Sequence, residues 1–225
     1  METEISRVRR PRSEAQANYD RLSRVYDWVS APFERAARDQ GLKLLDAQPG
    51  EAVLEIGFGT GWALLALAEA VGPSGVVYGV DPSFGMLKVA RGRVGQHVQS
   101  PRVNLLRGDG AALPFRADRF DAVFMSFTLE LFDTPEILSV IRECERVLHA
   151  QGRICVVSLA KSQNAGFLER SYERLHAAFP ITFDCRPIHV GPAMKRGGLQ
   201  VATELTSTLW GLPVAIVLAT KSNRL

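Results

Sequence analysis

The stretch Val53-Leu54-Glu55-Ile56-Gly57-Phe58-Gly59-Thr60-Gly61-Trp62 decides how the rest of the chain is read. Ala52–Ile56 is a short apolar run stopped by glycine, the pattern of a strand buried on both faces. The glycines permit a tight turn and a close ligand approach, and a helix opening from Thr60 aims free backbone N–H groups at that ligand. A dinucleotide site is the competing interpretation, since its fingerprint is Gly-x-Gly-x-x-Gly. Here the sixth place is Trp62, whose bulk would obstruct the close helix–strand packing that a third glycine there permits. The spacing is instead Gly-x-Gly-x-Gly, with an acid, Glu55, two places ahead.

Working outward, strands and helices alternate. A helix is expected over Thr60–Val71, then a strand at Gly75–Val80, a helix at Ser83–Val98 and a strand at Arg102–Leu106. Strand Phe120–Ser126, helix Pro135–Leu148 and strand Arg153–Ser158 follow. Such alternation means a parallel, doubly wound α/β sheet with helices on both faces. The tail changes character: a helix near Ala165–Ala178, a loop rich in Pro and His, then strands Gln200–Leu209 and Val214–Lys221, close enough to pair as an antiparallel hairpin on the sheet edge. Before Glu51 the spacing of Tyr19, Leu22, Val25, Tyr26 and Val29, then of Phe33 to Leu45, reads as helical. The expected organisation is an N-terminal helical cap (1–48) and a core (49–225) that includes a roofing segment (162–198).

The 225 residues, 46% hydrophobic and 23% charged, suit one globular domain and exclude wholesale disorder. No apolar run reaches the ~18 residues of a membrane span, and METEISRVRRPR has no apolar core behind its charges, so a cytoplasmic location is expected. A net charge of +3, scattered along the chain, argues against a nucleic-acid partner. The cluster Arg7, Arg9, Arg10 and Arg12 is either a solvated tail or a foothold for peripheral contact with an anionic membrane. Cys144, Cys155 and Cys185 lack metal or redox spacing and are expected reduced and mostly buried. No histidine pattern suggests a metal.

Four further motifs follow the glycine turn. Val76-Val-Tyr-Gly-Val80-Asp81-Pro82 ends the second strand in an acid, which can accept hydrogen bonds from both ribose hydroxyls or serve as a turn or N-cap residue. Leu105-Leu-Arg-Gly108-Asp109-Gly110-Ala-Ala-Leu-Pro114-Phe places an acid after the third strand. Arg119-Phe-Asp121-Ala-Val-Phe-Met-Ser126-Phe127 is a fourth strand, and Arg146-Val-Leu148-His-Ala-Gln-Gly152-Arg-Ile-Cys-Val is a helix–turn–strand in which Gly152 is read as a C-cap. In this order, over Val53 to Val157, the motifs resemble those of the class I S-adenosylmethionine-dependent methyltransferases. With Tyr19-Asp20…Tyr26-Asp27 and Gly-Asp…Leu-Pro-Phe, the chain looks like the ubiquinone/menaquinone-biosynthesis C-methyltransferase group, features shared by bacterial phospholipid N-methyltransferases.

The resemblance implies a seven-stranded Rossmann-like methyltransferase fold and S-adenosylmethionine as cofactor. Its binding residues would be Tyr19, Tyr26, Glu55, Gly57, Gly59, Thr60, Gly61, Asp81, Pro82, Met86, Gly108, Asp109, Gly110, Ser126 and Phe127. Asp109 would meet the adenine amino group, with Gly110 backbone facing the ring, where many relatives carry alanine. Tyr19 or Tyr26 would close over the methyl donor, or both pack the cap on the core. A carbon or hydroxyl acceptor needs a proton removed. Candidates are Glu130, alternatively a salt-bridge or helix-start carboxylate, and His189, alternatively a spectator; Asp133 reads first as an N-cap before Thr134-Pro135. Arg186 could hold an anionic group. His97, His149 and His176 look incidental. Aromatics outside the sheet (Trp28, Phe33, Phe127, Phe132, Phe167, Phe179, Phe183) suggest a small apolar acceptor, quinone- or lipid-like. A module that binds the donor without catalysis is the alternative from another class.

Overall fold

The computed structural model describes residue 20 and residues 31–97, 102–162, 166–178 and 185–222. Helices α1 (Ala31–Leu45), α2 (Trp62–Val71), α3 (Phe84–His97), α4 (Thr134–Val147), α5 (Phe167–Ala178) and α6 (Val190–Arg196) surround seven strands. The strands are β1 (Ala52–Ile56), β2 (Val76–Asp81), β3 (Val103–Arg107), β4 (Phe120–Ser126), β5 (Leu148–Leu159), β6 (Leu199–Leu209) and β7 (Leu212–Lys221). Their order is β3-β2-β1-β4-β5-β7-β6. β1 to β5 are parallel, β7 runs antiparallel to β5, and β6 closes the edge as the second arm of the hairpin.

Period-two alternation divides the core. Ala122 and Phe124 of β4, Cys155 and Val157 of β5, and Val214 and Ile216 of β7 face α1, α2 and α3. Their neighbours Val123, Met125, Ile154, Val156, Ala215 and Val217 face α4 and α6. Both faces are buried, so the central strands read as continuous apolar runs. Glu55 shares the face of Val53, which puts an acid beneath α1.

α4 is fixed at its start by a capping box: Asp133 is the N-cap, its side chain accepts from Thr134 N–H, and Glu136 answers from the third position. At the other end Arg146 pairs with Glu143 at 2.7 Å and donates to the carbonyls of Phe115 and Leu113, which pins the Leu113-Pro114-Phe115 loop. At the base of β4, Asp121 accepts from Ala52 N–H and is paired with His149, both at 2.7 Å; His149 therefore ties β5 to β4 rather than being incidental.

Two local expectations change. Gly152 is not a C-cap: α4 ends at Leu148 in extended conformation, and β5 already includes Gly152. A Cβ there would lie 2.9 Å from Leu148 Cδ2 and 3.0 Å from the His149 carbonyl, so close chain approach requires the glycine. The loop expected up to Pro192 contains α6, a seven-residue helix packed through Val190, Ala193 and Met194 into the α4 side of the core. Tyr19, Tyr26, Trp28, the N-terminal arginines, Phe179, Phe183 and Asp184 lie outside the described residues. Cys144 and Cys155 are buried free thiols, Cys185 is half-buried, and burial pushes the first two up to about 12. Among the described residues no helix is long and apolar enough to cross a membrane, and no acid–histidine–cysteine group could hold a metal.

Candidate functional site

A cavity of about 520 Å³ opens at the carboxyl ends of β1, β2, β3 and β4, where the strand order reverses and where open α/β sheets bind ligands. The glycine turn forms its floor. Gly57, Gly59 and Gly61 have φ of 73°, 51° and 89°, conformations that side chains rarely adopt. Gly57 donates to the Val80 carbonyl at 2.7 Å, and a Cβ on it would lie 2.3 Å from the Thr128 side chain. Gly61 is the exception among the expected contacts: it N-caps α2 against Ala90 and does not line the cavity.

Asp81 is buried at the end of β2. One carboxylate oxygen accepts the Gly59 N–H at 2.9 Å and the other accepts the Ser83 N–H at 2.8 Å. The turn role and the cavity-wall role thus coexist, and two of about four acceptor positions remain for a ligand. Burial pushes this carboxyl up to about 6 against the two hydrogen bonds, with Asp20 adding to the rise. Asp20 accepts from Ser83 Oγ at 2.5 Å and Gly85 N–H at 2.8 Å.

Glu55, 3% exposed, is held well above the ordinary carboxylate range by burial and by Asp81, with Arg38 of α1 opposing. Glu55 Oε2 and Arg38 Nε are both buried without a hydrogen-bond partner among the described residues, and both residues line the cavity. One presents an unused acceptor and the other an unused donor. Neither Arg38 nor Glu34, which lines the same wall one turn earlier, belongs to a recognisable motif; their i,i+4 spacing on a core-facing helix is the only sequence signal they leave.

On the opposite wall Asp109 accepts from Ala111 N–H at 2.9 Å. A Cβ on Gly110 would lie 2.9 Å from Ile56 and 3.1 Å from Phe132, which accounts for glycine at this position. Ser126, Phe127 and Thr128 follow β4 into the cavity. Phe127 has φ of 50°, a strained conformation for an aromatic residue, held by its N–H donating to the Val157 carbonyl at 2.8 Å. Thr60, Pro82, Met86 and Gly108 line the cavity as expected; Trp62, Ser83, Arg107, Leu131 and Phe132 join them. Trp62 does not obstruct packing, because its ring turns outward, 44% exposed, beneath the Arg93 guanidinium at 4.2 Å. Among the described lining residues four carboxyl groups (Glu34, Glu55, Asp81, Asp109) face two arginines (Arg38, Arg107), a balance that favours a cation.

The three residues expected to take part in chemistry are elsewhere. His189 is half-buried as the N-cap of α6 and does not line the cavity. Arg186 is fully buried and donates to the Phe132 carbonyl and, at 3.1 Å, to Thr134 Oγ1; it braces the turn behind the cavity wall rather than meeting an anion. Glu130 lies in a 3₁₀ turn (Leu129–Leu131), fully buried, with Leu159 N–H donating to it at 3.3 Å. Burial pushes its carboxyl up to about 8, against hydrogen bonds that include Leu159 and Ser158. The described parts of the expected roofing segment, 162, 166–178 and 185–198, also contribute nothing to the lining.

The strand order with its reversed seventh strand, the glycine turn at the switch point and an acid closing β2 define the Rossmann-like methyltransferase class. Comparison with known proteins agrees. The family model "Methyltransferase domain" matches residues 53–152. The chain is 32% identical over 177 residues to demethylmenaquinone methyltransferase of Anoxybacillus flavithermus, covering 74% of this chain and 73% of that one. It is 30% identical over 159 residues to 2-phytyl-1,4-naphtoquinone methyltransferase of Trichormus variabilis, with 69% of each chain covered. In fold it is similar to the 1,6-didemethyltoxoflavin-N1-methyltransferase of Burkholderia thailandensis, solved with bound 1,6-didemethyltoxoflavin and S-adenosylhomocysteine (TM-score 0.71, 15% identity, 97% of this chain and 95% of that one). The chain belongs to the class I S-adenosylmethionine-dependent methyltransferases, in the group that resembles the ubiquinone/menaquinone-biosynthesis enzymes.

Proposed function

We propose that the protein transfers a methyl group from S-adenosylmethionine to a carbon of a small quinol-like acceptor. The observation that carries this reading is the pairing of a polar, acid-rich half of the cavity with an apolar half, Phe127, Leu131 and Phe132, in a chain whose relatives are named for naphthoquinone methylation.

In this reading Asp81 accepts the ribose hydroxyls, Asp109 and the backbone at Gly110 hold the adenine, and Gly57 to Thr60 bring backbone close to the donor. The unused polar atoms of Glu55 and Arg38 match an ammonium and a carboxylate, the two charges at the amino-acid end of S-adenosylmethionine. When bound, that group supplies an electrophilic methyl on a positively charged sulfur. Ser126, Phe127 and Thr128 hold the acceptor in line with that methyl and keep water out; positioning of this kind contributes ~7–11 kcal/mol. Raising the nucleophilicity of a quinol carbon requires removal of a hydroxyl proton. Glu34 is the lining carboxylate carried by α1 rather than by the strand ends, and it takes that proton in place of His189.

The test is methyl transfer from labelled donor to demethylated naphthoquinols, phospholipids and simple phenols. Label in the quinol fraction is expected. Label confined to phospholipid would overturn the acceptor assignment, and an absence of calorimetric binding to both the donor and S-adenosylhomocysteine would overturn the donor assignment.

A further inference from the structure

One face of the molecule combines features that methyl transfer does not use. α3 carries Lys88, Arg91, Arg93 and His97 and not a single acid between Phe84 and His97. Phe84 at its start is 48% exposed, with Lys88 Nζ 4.5 Å from the ring centroid. A shallow depression lined by Trp62, Lys88, Val89, Gly92, Arg93 and Gln96 leads from there toward the cavity, whose wall Trp62 shares. Arg107, exposed beside Pro82, adds a cation at the same rim. Gly92 and Gly95 lie on the exposed side of α3, where a Cβ would meet no heavy atom within 4 Å. Glycine weakens a helix relative to alanine, and packing within the described chain asks for neither.

We propose that this face seats on an anionic lipid bilayer, with Phe84 and Trp62 entering the headgroup layer and Lys88 and Arg91 facing lipid phosphates, while Arg93, which donates to the Thr60 carbonyl, holds the Trp62 ring in place. Charge complementarity chooses the occupant: a helix with basic side chains and no acid is attracted to a negatively charged leaflet. Aromatic rings flanked by cations suit the interface, where one end of the side chain is apolar and the other wet. A nucleic-acid strand would need open ring faces on which bases stack; here Lys88 and Arg93 each take one face of the rings of Phe84 and Trp62. The small residues between the cations let the helix approach the headgroups closely. Because Trp62 belongs to both surfaces, the cavity mouth would open at the membrane, and an apolar acceptor would reach it without crossing water. This surface differs from the arginine-rich N-terminus, and it extends the apolar-acceptor reading given above.

The experiment is sedimentation of the full-length protein with phosphatidylcholine vesicles, with and without phosphatidylglycerol. Binding only to the phosphatidylglycerol vesicles is expected, weakening with salt. Lys88→Ala and Arg91→Ala should each reduce partitioning about fivefold, and Phe84→Ser should reduce it further. None of the three residues lines the cavity, so affinity for S-adenosylhomocysteine by calorimetry should stay at the wild-type value, which also verifies folding. Equal partitioning of wild type and the Lys88→Ala/Arg91→Ala double variant would overturn the proposal, as would equal binding to both vesicles or displacement from them by a single-stranded RNA. Vesicle binding with the expected pattern but no methylated quinol would retain this surface and remove the acceptor assignment alone.

Discussion

Asp81 reaches across from the end of β2 to accept the Gly59 N–H at 2.9 Å, so an acid that lines the cavity also sets the shape of the turn beneath it. Asp81→Asn retains the size of the side chain but removes the charge that strengthens both bonds. Hydrogen bonds to an ionised group contribute about 1.5–3 kcal/mol, so donor affinity should fall about 10- to 100-fold by calorimetry. The wild-type carboxyl titrates near 6, so affinity should also decline as pH drops below that value. A pH-independent affinity between 5 and 8 would contradict the role.

Glu130 provides a stability test with a defined sign. Its folded-state pKa, about 8, lies above the ordinary value of 4.5, so the folded protein binds the proton more tightly than the unfolded chain. Stability should therefore fall as pH rises from about 4.5 to about 8 and change no further above that. Glu130→Gln removes the titration. Its Tm should match wild type near pH 4 and exceed it by about 10 °C at pH 9; a Tm difference independent of pH would refute the buried neutral acid.

Arg186 is a brace for the cavity wall. Arg186→Met leaves the Phe132 carbonyl and Thr134 Oγ1 without a buried donor and should destabilise by about 3 kcal/mol in urea unfolding. Arg186→Lys should recover little, because two diverging partners suit a planar guanidinium. Stability equal to wild type in the methionine variant would dismiss the bracing role.

Glu34→Gln should lower kcat about 100-fold, the usual contribution of a positioned general base, with the affinity for S-adenosylhomocysteine unchanged. The same substitution at His189 is expected to leave both quantities alone, since α6 holds that residue away from the cavity. Full turnover by Glu34→Gln would return the search for the base to the remaining residues around Phe132.

The parts of the molecule legible in the sequence are those set by local pattern. Strands buried on both faces, such as Ala122–Met125 and Ile154–Val157, are continuous apolar runs, and the glycines and acids that follow β1, β2 and β3 mark the strand ends where the cavity forms. β5 extends back to Leu148 because Leu148 pairs with Phe120 of β4, and the His149–Gly152 stretch, which looks like a turn, bulges out between that pair and the Arg153–Ala122 pair. α6 is short and contains Gly191 and Pro192, so no period emerges, and its stability comes from burying Val190 and Met194. Arg38 meets Glu55 only through the docking of α1 on the sheet, a tertiary contact that no spacing announces. His189 looked suited to catalysis by residue type alone; packing decided otherwise.

The crowding around Gly110 links two positions that lie far apart in sequence. A Cβ there would crowd Ile56 at 2.9 Å and Phe132 at 3.1 Å, so alanine at 110 requires both neighbours to give way, and a smaller residue at 132 relieves part of that crowding. The two sites share one steric allowance. Engineering of the acceptor pocket through Phe132 should therefore be attempted in pairs, with the residue at 110 chosen to refill the space that the ring vacates.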